Sequence, residues 1–177
     1  MRQVHRSILD AVLGINPLPK TLLDIGCGNG SFTRELHSGL PSMVITALDF
    51  RFPKYLKGQT SVRFIAGSAE ELPFDSESFD AITVSLSLHH WKNKEKGISE
   101  VYRVLKTKGH LVIGDPLLQG WLSKPVMGWL AQKIDGGTFA ATAELTAHLK
   151  GAGFKYVNMG LIPNSMQSLF LVTAVKS

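Results

Sequence analysis

Residues 22–32, LLDIGCGNGSF, constrain the fold more than any other stretch of the chain. The apolar run 21–25 reads as a buried parallel strand. Glycines at 26, 28 and 30 follow, and the residues from Ser31 onward read as a helix. A strand that enters a Gly-rich turn and leaves it as a helix puts that turn at the carboxyl end of a sheet, where open α/β sheets bind ligands. Glycines let the backbone approach a ligand without Cβ atoms in the way. The start of the helix adds free N–H groups and a partial positive charge. The spacing is G-x-G-x-G, with Asp24 two residues ahead, whereas the dinucleotide fingerprint is G-x-G-x-x-G and would want glycine at position 31. The turn alone therefore leaves open a nucleotide-type ligand, a nicotinamide or flavin included, and a purely structural role.

The rest of the pattern extends this unit into a whole domain. Val4, Ile8, Leu9, Val12 and Leu13 form the stripe of an amphipathic helix over 3–13, which Asn16-Pro17-Leu18-Pro19 ends. A helix is predicted over 31–38. Apolar runs at 43–48, 62–66 and 81–86 read as further strands, then comes a helix over 94–105 with its stop at 106–109, and a fifth strand over 110–114. A helix over 142–149 precedes two late strands, 157–162 and 169–175, joined by a Pro163-Asn164-Ser165 turn. Strands alternating with helices predict an α/β fold, a Rossmann-like, doubly wound and mostly parallel seven-stranded sheet with helices on both faces. The C-terminal hairpin adds an antiparallel strand at the edge. At 177 residues, with no linker or repeat, the expectation is a single domain over 1–177. Only thirteen positions separate Asp49 from Val62, too few for an average helix and two loops, so a short turn is expected there. The sheet near the third strand should then be thinly covered, or covered by a second copy in a homodimer.

Cys27 is the only cysteine, which excludes a disulfide framework, and no apolar run approaches a membrane span. With no convincing signal peptide, the expected compartment is the cytoplasm. The net charge of +5 permits an anionic partner. However, Lys92, Lys94, Lys96, Lys106 and Lys108 form no continuous run and have no interleaved aromatics, so nucleic acid is not an expected partner.

Three further stretches carry a resemblance to a known family. Residues 67–82, GSAEELPFDSESFDAI, follow the third strand; SLSLHHW at 85–91 follows the fourth; EVYRVLKTKGHLVI at 100–113 leads into the fifth. With D-x-G-x-G-x-G at 24–30 and L-K-G-A-G-F at 149–154, they resemble the class I S-adenosylmethionine-dependent methyltransferases of type 11, similar to those of ubiquinone and menaquinone biosynthesis. The resemblance is close over 20–115 and loose over 142–177. It departs at Ser68, where the family carries an acid, and at Thr107 and His110, where the family carries proline and glycine.

The resemblance implies S-adenosyl-L-methionine as cofactor. It implies that Asp24 and the turn residues Gly26, Cys27, Gly28 and Gly30 shape the methionine pocket, that Asp49 takes the ribose hydroxyls, and that Phe50 packs on adenine. It assigns the adenine edge to Ser68 and Ala69, with Glu70 as a substitute for the missing acid, and the methionine amine to the Ser85 and Leu86 backbone. Methyl transfer from a sulfonium asks the protein to align the acceptor and exclude water. A general base is required only for a poorly nucleophilic acceptor, and His90 is the catalytic candidate, with Asp115 second. No metal is expected: adjacent histidines point apart and no H-E-x-x-H pattern is present.

Cys27 is no nucleophile for cytosine C5, and residues 85–88 lack the Pro-Pro-aromatic motif of amino methylation on DNA. A small-molecule acceptor remains, and the apolar segment 116–137, with Trp121 and Trp129, is a candidate substrate cap over an apolar pocket. Two other readings stay open: a binding module without catalysis, and a nicotinamide-dependent oxidoreductase.

Overall fold

The computed structural model describes residues 2–51, 62–116, 142–163 and 169–177. Helix α1 (Arg2–Leu13) precedes β1 (Thr21–Ile25), α2 (Ser31–Gly39), β2 (Val44–Asp49), β3 (Arg63–Ala66) and β4 (Phe79–Ser85). A 3-10 turn, Leu88–His90, leads to α3 (Lys94–Val104), β5 (Leu105–Pro116), α4 (Thr142–Ala152), β6 (Phe154–Leu161) and β7 (Leu169–Lys176). The predicted short turn over 52–61, the cap over 116–137 beyond Pro116, and the hairpin tip from Asn164 lie outside the described residues.

Seven strands form one sheet in the order β3-β2-β1-β4-β5-β7-β6. β1 to β5 are mutually parallel. β7 is antiparallel to both β5 and β6, so the reversed strand lies one place in from the edge and the outermost strand, β6, points the same way as β1.

Alternate residues of each central strand feed two cores. Leu22, Ile45, Ala81 and Val112 meet Val4, Ile8 and Val12 of α1 and Phe32 and Leu36 of α2 on one face. Leu23, Ile82, Leu111 and Ile113 meet Ile98, Val101 and Val104 of α3 and Leu145 and Leu149 of α4 on the other. This is the doubly wound arrangement, and it explains why β1 and β4 are buried on both faces. Each of these valine, leucine, isoleucine and phenylalanine side chains contributes about 1.5–3 kcal/mol on burial. Gly114 lets α1 approach β5 closely, since a Cβ there would lie 2.4 Å from Val4 Cγ2. β3 holds no fully buried residue.

Several boundaries differ from the sequence reading, and the starts of β5 and β6 have a visible cause. β5 begins at Leu105, directly after α3, because Leu105 already pairs with Phe79 before a register shift leads to the Ala81–His110 pairing. The stop expected at 106–109 is thus an irregularity inside a strand, with Lys108 at φ 64. β6 begins at Phe154, immediately after Gly153, whose φ of 105 turns the chain out of α4.

Candidate active site

The carboxyl end of β1 is built from backbone. Leu48 O, at the end of β2, accepts the N–H groups of Gly26 (2.7 Å) and Cys27 (3.1 Å), and Cys27 O accepts that of Gly30 (2.8 Å). Gly26, Gly28 and Gly30 all lie at positive φ, which side chains disfavour. Gly30 has no side chain to cap α2, and Asn29 Oδ1 accepts Ser31 N–H instead (3.0 Å). A Cβ on Gly26 would lie 2.0 Å from Ser87 Oγ, whereas one on Gly28 would meet nothing within 4 Å. Gly26 is thus needed for packing, and Gly28 for the open space beside the turn.

Two carboxylates frame this turn. Asp49 sits at the tip of β2, where Oδ2 accepts Gly28 N–H and Oδ1 accepts Arg51 N–H, both at 2.8 Å. Phe50, next to it, is 78% exposed. Asp24 is buried beneath the turn and ties three elements together: Thr33 of α2 donates to Oδ2 (2.6 Å) and Thr83 of β4 to Oδ1 (3.0 Å). Burial pushes the Asp24 carboxyl up to about 6, against those two hydrogen bonds, with the Asp49 charge adding to burial. Burial, then the charges of Asp24 and Asp49, push the Cys27 thiol up to about 12. A thiol so held is protonated and unreactive at neutral pH.

Across the sheet edge, β4 ends at Ser85, and Leu86 takes φ 52, an uncommon conformation for a residue with a side chain. Leu86 N–H donates to Gly114 O (2.8 Å). The Ser85 hydroxyl is buried without a hydrogen-bond partner among the described residues. Ser87 Oγ donates to Ile25 O (3.2 Å) and accepts from Trp91 Nε1 (3.3 Å), fastening the 3-10 turn to the glycine turn.

That turn carries both histidines. The ring of His89 is buried and its Nδ1 lies 2.7 Å from Asp115 Oδ1; His90 is exposed. The expectation that adjacent histidines point apart is corrected here: the ring centroids lie 4.0 Å apart at 44°, because the tight turn leans the rings together.

On the β3 side, Ser68 Oγ accepts Glu70 N–H (3.2 Å), and Ala69 is buried. Glu70 Oε1 accepts Asn93 N–H (2.9 Å), which commits it to the approach to α3. Sequence reasoning missed one unit altogether. Glu100 and Arg103 of α3 pair at 2.8 Å and clamp residues 72–74: Leu72 N–H donates to Glu100, while Arg103 donates to Leu72 O and Phe74 O. The L-P-F and E-x-x-R elements are two halves of this clamp, and their joint appearance in the sequence was the signal for it. The structure thus brings Asp24, Gly26, Cys27, Gly28, Gly30, Asp49, Ser85 and Leu86 to one edge.

Comparison with known proteins agrees with this geometry. The methyltransferase domain family matches residues 23–113. Malonyl-[acyl-carrier protein] O-methyltransferase of Methylococcus capsulatus is 29% identical over 168 residues, 89% of this chain and 60% of that protein. Demethylmenaquinone methyltransferase of Thermotoga maritima is 34% identical over 112 residues, 62% of this chain and 48% of that protein. The chain thus spans 60% or less of the length of these relatives. Among solved structures, the [4+2]-cyclase SpnF superposes with a TM-score of 0.80 at 16% identity, over 98% of this chain and 80% of that one. Phosphoethanolamine N-methyltransferase 2 of Haemonchus contortus, solved with S-adenosyl-L-methionine, gives 0.80 at 18% identity, over 97% and 52%. At these identities the structural likenesses show the fold.

Proposed function

The chain belongs to the class I S-adenosylmethionine-dependent methyltransferases of type 11, and from that premise we propose that it transfers a methyl group to a small-molecule acceptor at the β1–β2–β4 carboxyl edge. S-adenosyl-L-methionine is the methyl donor of the family. The observation that carries the reading is the buried Ser85 hydroxyl, unpartnered among the described residues, across from a glycine turn whose Gly28 faces open space. A buried polar atom without a partner costs about 1–3 kcal/mol, so its persistence beside an open turn fits a polar ligand that supplies the bond.

When bound, the cofactor supplies an electrophilic methyl group on a positively charged sulfur. Gly26, Cys27, Gly28 and Gly30 offer backbone to its methionine portion, above the buried Asp24. Asp49 keeps lone pairs for the ribose hydroxyls while holding the turn through Gly28 N–H. The exposed Phe50 ring covers adenine, and Ser68 and Ala69 read its edge. Ser85 and Leu86 face the amine. Family membership replaces the nicotinamide alternative. Among the described residues no helix is long and apolar enough to cross a membrane. The segment 116–137 would cap the acceptor, with a second copy of the chain as a further element of cover near β3.

Titration calorimetry tests the cofactor reading. S-adenosylmethionine and S-adenosylhomocysteine should bind and NAD should not. Gly28→Val should abolish binding while costing the fold only the strain of positive φ, about 1–2 kcal/mol. Equal binding by native and variant protein would overturn the placement. Methyl transfer is then read with labelled donor on a panel of phenols, amines and carboxylates, including malonyl-[acyl-carrier protein] and reduced demethylmenaquinone. A panel without turnover despite cofactor binding would leave a binding module.

A further inference from the structure

Resting on the methyltransferase reading above, we propose that Ser87 is a positioning residue that ties the 3-10 turn Leu88–His90 to the glycine turn, so that filling the cofactor site stiffens the turn on the acceptor side. Ser87 is buried, and its two partners fix the direction of both its hydrogen bonds. The indole Nε1–H of Trp91 only donates, so Ser87 Oγ accepts there, at 3.3 Å. A carbonyl only accepts, so the hydroxyl proton goes to Ile25 O, at 3.2 Å.

Ile25 O and Gly26 N–H belong to one peptide group, which is planar and turns as a unit. Its N–H donates to Leu48 O, at 2.7 Å, near the end of β2. One plane at the mouth of the glycine turn is therefore held from both sides: by β2 through its N–H, and by the turn after β4 through its carbonyl. Hydrogen bonds run head to tail from Trp91 through Ser87 and this peptide to Leu48, the residue before Asp49. Bonds so aligned polarise and strengthen one another. Steric contact adds to them, since a Cβ on Gly26 would lie 2.0 Å from Ser87 Oγ and 2.3 Å from Ser87 Cβ.

The far end of this chain is equally firm. Leu86 N–H donates to Gly114 O and Leu88 N–H to Asp115 Oδ2, both at 2.8 Å, which fixes the turn to β5. His90 N–H closes the turn on Ser87 O, at 3.0 Å. Trp91 packs against Gly97 of α3, where a Cβ would lie 2.4 Å from the ring. A ligand that immobilises residues 26–30 and Asp49 thus takes freedom from the Ile25–Gly26 peptide, and with it from Ser87, Trp91 and the turn between them. Ordering one part of such a network lowers the cost of ordering the rest for a second ligand. The acceptor should then meet a stiffer turn after the cofactor has bound than before.

A serine that only pins the fold would leave the turn indifferent to the ligand. Hydrogen exchange read by NMR separates the two roles. In the native protein, saturating S-adenosylhomocysteine should slow exchange of the Trp91 indole N–H and the His90 amide about 10-fold, the scale of a modest coupling between sites. Ser78 N–H, which donates to Val104 O at the amino edge, should change far less. In Ser87→Ala, S-adenosylhomocysteine should bind with unchanged affinity, yet the slowing at His90 should vanish. On the panel compounds that the native protein methylates, Ser87→Ala should lower kcat on the order of 10-fold with the donor KM unchanged. Binding without slowing at Trp91 and His90, or equal slowing at Ser78, overturns the proposal from the native protein alone, whether or not the variant folds. Slowing that survives in Ser87→Ala, or an unchanged kcat, overturns it as well. Failure of the native protein to bind S-adenosylhomocysteine would instead break the methyltransferase reading, and this proposal with it.

Discussion

The two edges of the sheet treat their carboxylates in opposite ways. At the amino edge, Asp80 of β4 accepts from Lys20 N, Thr21 N and Thr21 Oγ through Oδ2, and meets Lys106 Nζ at 2.7 Å through Oδ1. Partial burial would raise its carboxyl, but Lys106, Thr21 and Lys20 outweigh it and hold it at about 2. At the carboxyl edge, Asp24 has two threonine hydroxyls, and burial wins, at about 6. The same edge also has three glycines at positive φ, Leu86 at φ 52 and a buried Ser85 hydroxyl with no partner among the described residues. One edge is finished for stability. The other keeps strain and unmet polarity, as expected where ligands complete the structure.

The contrast breaks most readily at Gly26. Gly26→Ala would drive a Cβ to 2.0 Å from Ser87 Oγ at a φ of 77. It should cost roughly 3 kcal/mol in chemical denaturation, adding overpacking to backbone strain. A cost as small as that of Gly28→Ala, which meets open space, would mean that the two turns are not locked together.

Asp24 sharpens the contrast by its pH dependence. Its folded pKa lies above the unfolded value of 3.8. Protonation therefore favours the folded state: the contribution is fully present below pH 3.8 and is lost as pH rises to about 6. Asp24→Asn should remove that slope and gain up to about 3 kcal/mol at pH 7.5 relative to native protein, read from denaturation midpoints at pH 4 and 7.5. A parallel shift at both pH values would show that the buried carboxyl carries no such penalty.

Asp80 should behave in the reverse sense and more mildly. Its folded pKa is depressed, so its contribution is present above pH 3.8 and lost as pH falls through about 2. Asp80→Asn should cost roughly 1–2 kcal/mol at neutral pH, because two backbone amides and a hydroxyl keep an oxygen partner while Lys106 loses its charge partner. No loss in thermal unfolding would place the strength of that edge in the strand pairing alone.

The sequence was most informative where residue type dictates backbone. Glycines spaced by two wrote the turn at 26–30 plainly, and apolar runs located every strand of the parallel set. Partners brought together only by topology were harder to see. Asp115 and His89 lie 26 positions apart and meet because β4 and β5 are neighbours. Nothing in adjacent identical residues says that the turn buries His89 and exposes His90, the expected base. The start of β5 was hidden by Lys106 to Gly109, which read as a stop but pass through an irregular strand. The position of β7 inside the sheet depends on which hairpin strand pairs with β5, and two similar apolar runs do not encode that choice.

Ser87 gives the molecule an optical handle. Its hydroxyl receives the indole N–H of Trp91, at 3.3 Å, and is itself spent on the carbonyl that begins the glycine turn. The far side of the indole packs on Gly97, where even a methyl group would lie 2.4 Å from the ring. Trp91 thus senses displacements of the turn through one oxygen atom, from a buried and tightly held ring. The other two tryptophans are at 121 and 129. With phenylalanine at those two positions, Trp91 becomes a single fluorophore whose emission wavelength reports the hydrogen bond at the cofactor turn, in a protein that carries no added dye.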